Sequence, residues 1–314
     1  MAIDRGHINA ALTSYTVATA KNLDNFFIAN QVAPAVRVPN MSDSYLIYGN
    51  DDLRIDSDII SLGGDVPRVS WAESDCEYKC QEYGMETVLK KALVANADAG
   101  MRYEQRRAAG LVRKIKLALE ARVAAIISNP AVFTHTAALA VADRWDVATG
   151  DPVDDSLTAL ETIRPHIGAV PNTLIIGGHV RAHLRVHPDI TSRLAGLVAG
   201  QPASDAQIAS IMGVDRLLVG NSIYESALEG AAASVQADVW GNIAAFAYIE
   251  SNPEGAVEGA ITPLQRFTYE GFMNEFASYE YEEGALKRIL GVYACYDLAV
   301  VAANSLYLFT TVVS

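Results

Sequence analysis

Basic side chains are scarce in this sequence: 24 Lys and Arg stand against 37 Asp and Glu, leaving a formal charge of -13 and a pI near 4.9. Domains dedicated to nucleic acid carry a net basic balance, so the composition argues against that class and favours colloidal solubility. Cysteine is scarcer still. Cys76, Cys80 and Cys295 are too few and too scattered for a disulfide framework, and their odd number suits a reducing compartment, the cytoplasm. Residues four apart on an extended strand lie about 13 Å apart, so Cys76 and Cys80 can share neither a disulfide nor an ion, and buried free thiols are expected. Long apolar runs are missing as well. The C-terminal stretch LAVVAANSLYLFTTVV is interrupted by Asn304 and Ser305. At about 16 residues it is short for a bilayer span of about 20, and its β-branched and aromatic content reads as a buried strand. MAIDRGHINAALTSYTVATA has neither the basic start nor the continuous apolar core of a signal peptide, so no membrane partner is expected.

Motifs of chemistry are also lacking. Gly63-Gly64 and Gly177-Gly178 sit in neither GxxxxGK nor GxGxxG and read as turns, not phosphate cradles. No GxSxG elbow is present, and no internal repeat or low-complexity tract supports a solenoid or a disordered linker. Catalytic residues, cofactors and metal ligands are therefore all expected to be none.

What the 314 residues do contain is apolar surface: 51% are hydrophobic, 19% are charged and the mean hydropathy is +0.15. That is more than a lone monomer usually hides, and extensive subunit contacts would absorb the excess. Residues 1–40 show no sustained amphipathic period and end in VAPAVRVPN, where Pro34 and Pro39 hold the chain extended, so an arm is expected. Tyr45 to Leu93 reads as strand, with YLIY, VSW and CEYKCQEYGMETVL flanking a polar middle, NDDLRIDSDIISLGGD; a long two-stranded excursion fits. From Asp98 to Ser128, Ala108, Leu111, Ile115, Leu119, Val123 and Ile126 recur at helical spacing until Asn129 and Pro130 stop them, predicting a spine helix about 45 Å long. Beyond Trp145 short elements alternate. Asp151 caps a helix with Pro152 in its first turn and a buried stripe of Val153, Leu157, Leu160 and Ile163. TLIIGG, DRLLVG and AAFAYIE read as strands and HVRAHLRVH and SDAQIASIMG as helices, so mixed elements around one sheet are predicted.

His179, His183 and His187 stand four apart, and two of them could hold a metal on one helical face. The outer two lie about 12 Å apart along the axis, too far to share an ion. The glutamate of HExxH is missing, so the plainer reading is a surface helix ending at His187-Pro188. Arg102, Arg106, Arg107, Arg113, Lys114, Lys116 and Arg122 crowd the spine against only Glu104 and Glu120. Such a stripe is more often a solvated face than a phosphate-binding surface. Asp51, Asp52, Asp56 and Asp58 make the middle of the excursion acidic, a solvated loop that could meet basic residues of a neighbour.

The order of parts, together with VAPAVRVPNMSDSYLIY, DDLRID, PRVSW, EYKCQEYGMETVL, Trp145 with DPVDDSLTALETI, IGAVPNTLIIGGHV, HPDI and GVDRLLVG followed by VWGN, resembles the major capsid proteins of tailed bacteriophages of the Hong Kong 97 type over nearly the whole chain. The resemblance implies an α+β fold in four parts: an N-terminal arm (1–40), an extended loop (41–93), a P-domain with the spine (94–147 and 272–314) and an A-domain (148–271). It implies a shell subunit that self-assembles through pentamers and hexamers into an icosahedral virion. That virion is built in the host cytoplasm and encloses double-stranded DNA without sequence specificity. Separate scaffolding protein and portal are implied, and a decoration protein is allowed. Phe26, Phe27, Arg37, Tyr45, Tyr48, Asp51, Arg54, Asp58, Arg68 and Trp71 become the expected subunit contacts, and Arg102, Arg106, Arg107, Arg113, Lys114 and Lys116 the genome-facing set. Between Leu46 and Tyr78 there is no lysine, so the covalent Lys–Asn cross-link of some relatives is unsupported at the excursion's tip. The alternatives are an encapsulin-like nanocompartment shell and, remotely, a metal-dependent hydrolase using His179 and His183.

Overall fold

The computed structural model describes residues 7–8, 10–24, 26–48, 73–95, 100–194, 201–227, 233–250, 261–272 and 276–314, with positions 55, 58–60, 66, 68 and 230 between them. The first forty residues are not simply extended. After a short strand β1 (His7–Ile8), helix α1 runs over Ala10–Leu23 and a single turn α2 over Ala29–Val32, before β2 (Ala35–Val38) takes the extended form that Pro34 imposes. This corrects the expected arm. The buried face of α1 is Leu12, Thr13, Thr16 and Ala20, a helical spacing written in small and hydroxylated residues. The Thr16 and Thr19 hydroxyls donate back to Thr13 and Tyr15 carbonyls at 2.8 and 2.9 Å, which lets threonine lie in a helix with its polar atom satisfied.

Strands β3 (Ser42–Tyr48) and β4 (Glu73–Lys79) pair antiparallel from Ser42 opposite Lys79 to Tyr48 opposite Glu73, the base of the expected excursion. The chain continues through β5 (Gln81–Lys90) and α3 (Lys91–Ala95) into the spine, α4, 28 residues from Gly100 to Ile127. Ala108, Leu111, Ile115, Leu119 and Val123 are buried as their spacing predicts, and Ile127 completes the stripe in place of half-buried Ile126.

Beyond β6 (His135–Ala138), Asp151 accepts the backbone N–H of Asp154 at 3.0 Å and starts α5 (Pro152–Ile167), which Gly168 ends in the left-handed conformation. Its buried stripe is Val153, Ser156, Ala159, Leu160 and Ile163; Leu157, expected inside, is 55% exposed because it lies one helical step off that face. Then come β7 (Thr173–Gly177), α6 (Gly178–Leu184), α7 (Pro188–Leu194), α8 (Asp205–Ile211), β8 (Arg216–Gly220), the small hairpin β9 (Ile223–Glu225) and β10 (Gln236–Asp238), and β11 (Ala244–Ala247). The last strands are β12 (Leu264–Tyr269), β13 (Ala277–Glu283), β14 (Lys287–Val300) and β15 (Leu306–Thr310). The C-terminal apolar stretch is thus two strands, not one, broken by a tight turn at Ala303–Ser305 where the Ser305 hydroxyl donates to Ala302 O.

Two sheets organise these elements. One runs β1-β13-β14-β12-β2 with β5 alongside β14; the other runs β6-β15-β11-β7-β8 and mixes parallel with antiparallel pairs. Strand pairing crosses the expected divisions at 147/148 and 271/272, since β12 joins the first sheet and β6 and β15 the second. The second sheet is covered on both faces. Alternate residues Leu174, Ile176, Phe246 and Phe309 pack with α5 to α8, while Ile175, Ala245 and Leu308 pack with the spine. Gly177 and Gly178 are not turn residues: Gly177 is extended, and a Cβ there would stand 2.1 Å from Gly241 O, so close backbone approach is what requires glycine.

Candidate assembly site

The segment between β3 and β4 carries exposed apolar side chains. Ile55, Ile59, Ile60 and Val66 are all open to solvent, and Asp58 and Arg68 are exposed beside them. Asp51, Arg54, Trp71 and the Gly63-Gly64 pair lie outside the described residues, as does the side chain of Tyr48. At the root of the excursion the expected contacts divide. Tyr45 turns inward, its ring 5.1 Å from Phe267 in a small cluster with Val36, Val38, Tyr78, Cys80 and Cys295; burial and Cys76 push its hydroxyl up to about 12. Burial likewise pushes the Cys80 thiol up to about 12, which keeps it protonated and unreactive beside Cys295. Arg37 is exposed on β2. Phe26 is 41% exposed, but Phe27, expected to reach a neighbour, is only 3% exposed and packs edge-on to Phe26 within its own chain. Phe27 is therefore a core residue of the monomer.

The basic stripe of the spine also divides. Arg106, Arg107, Arg113 and Lys114 are exposed and repeat at i and i+7, one face of the helix. Among the described residues no carboxylate pairs with Arg106, Arg113 or Lys114, and Arg107 folds over the Tyr103 ring, 5.3 Å from its centre. The side chain of Arg102 lies outside the described set. Lys116, expected to face a genome, is 2% exposed: its ammonium pairs with Asp24 just past α1 and sits 5.4 Å from the centre of the Phe276 ring. The i+9 step from Arg107 carries it around the helix into the core. Arg122 is likewise internal, donating to Tyr296 Oη at 2.6 Å over the Tyr83 ring.

Glu120 on the spine is a junction that reading the sequence missed. Its Oε1 accepts Trp240 Nε1 at 2.6 Å, Ile28 N at 3.2 Å and Ser222 Oγ at 3.3 Å; its Oε2 accepts Ala29 N at 2.7 Å. One carboxylate so ties the N-terminus of α2 to the spine and to the β8–β11 segment. Burial pushes its pKa up and the four donors pull it down, with burial prevailing. Gly220 is part of the arrangement, since a Cβ there would stand 2.0 Å from the Trp240 ring. The signal available in the sequence was an acid directly after apolar Leu119, seven residues before the spine ends at Ile127.

The histidine helix separates in the same way. His187 is buried and committed at both ring nitrogens, Nδ1 accepting Asp189 N at 3.2 Å and Nε2 donating to Val147 O at 3.1 Å. His179 and His183 stay together on α6, Nε2 to Nε2 at 3.3 Å. Among the described residues no group of three or more His, Cys, Asp or Glu side chains could share a metal ion, and no helix is long and apolar enough to cross a membrane.

No family model matches the chain. It is 25% identical over 177 residues to the major capsid protein of Burkholderia phage BcepMu, and the match spans 56% of each chain, so little over half the length of that relative is covered. Among solved structures, it is similar to a phage-related protein of Bordetella bronchiseptica RB50, with a TM-score of 0.76 and 20% identity over 98% of both chains. It is similar to the capsid of cyanophage P-SCSP1u at a TM-score of 0.57 and 10% identity, over 88% of this chain and 86% of that one. A virus-like particle from Pyrococcus furiosus gives a TM-score of 0.57 and 10% identity over 96% and 98%. At such identities the structures speak to architecture, and the architecture of this chain is the α+β fold of phage capsid proteins.

Proposed function

We propose that this chain is the major capsid protein of a tailed phage, a Hong Kong 97-type subunit that assembles with copies of itself, as pentamers and hexamers, into the icosahedral head of the virion. It catalyses no reaction. The observation that carries the reading is the sequence likeness to a phage major capsid protein in a chain that has the capsid fold. The surface agrees with it: Ile55, Ile59, Ile60 and Val66, between β3 and β4, are open to solvent, and exposed apolar side chains of this kind are stabilised when a neighbouring copy covers them. Each isoleucine so covered contributes about 1.5–3 kcal/mol. In this reading Phe26, Arg37, Asp58 and Arg68 meet neighbouring copies, and Arg106, Arg107, Arg113 and Lys114 face packaged double-stranded DNA without reading its sequence. A separate scaffolding protein and a portal complete the particle, which forms in the host cytoplasm and leaves room for a decoration protein.

A shell around another cargo is the second reading, favoured by the likeness to the virus-like particle. The phage reading stands first because the likeness in sequence is to a phage capsid protein. The test is sedimentation of the wild-type chain, with its scaffold, beside Ile59→Asp/Ile60→Asp. The proposal predicts a particle boundary for the wild type and its loss in the variant, whose circular dichroism stays that of the folded monomer; equal particle yield from both would overturn the role of the excursion.

A further inference from the structure

We propose that His179 and His183 form a two-imidazole site for one divalent transition-metal ion of the zinc, nickel or copper class, the remaining coordination positions being filled by water. Exposed His179 and half-buried His183 stand one helical turn apart on α6, ring centres 4.9 Å apart and planes 82° from parallel. Their Nε2 atoms are 3.3 Å apart. Two nitrogens bound to one tetrahedral ion at about 2.05 Å each stand about 3.3 Å from one another, so the pair is already spaced for an ion between the rings.

The protonation of His179 is also prepared. Asn242 donates its Nδ2–H to Ser314 O at 3.4 Å, which fixes the amide and turns Oδ1 towards His179 Nδ1 at 3.2 Å. Nδ1 therefore carries the proton of the neutral ring and Nε2 presents a lone pair. A carbonyl oxygen behind a metal-binding imidazole, holding its tautomer and angle, is the usual supporting arrangement of such sites. Asp146 adds negative charge nearby. Its carboxylate accepts the Ser314 hydroxyl at 2.6 Å and the Ser314 N–H at 3.1 Å. A metal bound here has two protein ligands, and the proposal is one of binding alone.

The competing account of the same distance is a neutral pair in which His183 Nε2–H donates to His179 Nε2. Titration calorimetry of the folded monomer with zinc chloride alone separates the two, and does so whether or not the chain assembles. The proposal predicts one ion per chain, at least tenfold weaker binding in His179→Ala and in His183→Ala, about tenfold weaker binding in Asn242→Ala with unchanged stoichiometry, and no change in His166→Ala. Circular dichroism of each variant checks that the fold is kept. Wild-type binding no tighter than that of His179→Ala and His183→Ala would overturn the proposal and leave the hydrogen-bonded pair.

Discussion

Replacing Glu120 by Gln keeps the side-chain volume but offers one acceptor oxygen where Ile28, Ala29, Ser222 and Trp240 bring four donors. At least one buried donor is then left facing an amide N–H, and Glu120→Gln should lower the unfolding free energy by about 1–3 kcal/mol, read from the denaturant midpoint. The pH dependence has a definite sign. Burial raises the pKa of Glu120 in the folded chain, so the folded state binds the proton more tightly than the unfolded one. Its contribution is full below the ordinary carboxylate value and is lost as pH rises through the folded value. The stability of the wild type relative to Glu120→Gln should therefore grow as pH falls towards 4.5; a difference flat over that window contradicts the burial account. Lys116 gives a second residue-scale prediction. Asp24→Ala strands a buried ammonium and should cost about 3 kcal/mol, whereas Lys116→Met, which fills the same space without charge, should cost clearly less. Equal losses in the two variants would mean that packing alone matters there.

At the scale of elements, the spine and the strand pair β3 and β4 were legible in the sequence: apolar residues recur every three or four positions in α4, and strand text stands on both sides of a polar middle. Helix α1 was not, because its buried face includes Thr13, Thr16 and Ala20, residues that carry almost no hydropathy contrast. The basic stripe was legible as composition and not as geometry. Only helical phase distinguishes exposed Arg113 and Lys114 from Lys116, which the apolar face draws inward with its partner Asp24. Similarly, Cys80, just before β5, is close to Cys295 because β5 pairs with β14, a long-range fact that no local window contains. Joining Tyr48 to Glu73 through an Asn-Gly turn, in place of 49–72, should leave the monomer's unfolding free energy within about 0.5 kcal/mol while abolishing particles. Neutralising Arg106, Arg107, Arg113 and Lys114 together should leave the fold intact and reduce the salt dependence of DNA binding, by up to about 0.9 in the log–log slope for each phosphate contact removed. An unchanged slope would remove the stripe from the DNA-facing surface.

For the whole molecule, net charge and interface pull in opposite directions. A charge of -13 keeps free subunits apart at low ionic strength, while apolar excursions draw them together. Assembly should accordingly be promoted by moderate salt, which screens the repulsion and leaves apolar burial in place; light scattering against ionic strength reads this directly. The central claim is that this fold serves a closed shell. Negative-stain electron microscopy of the largest size-exclusion fraction, from cells producing the chain with its scaffold, tests it most directly. The account predicts closed shells, or rings of five or six and tubes where closure fails, and a monomer or small dimer that stays dispersed at raised salt would contradict it.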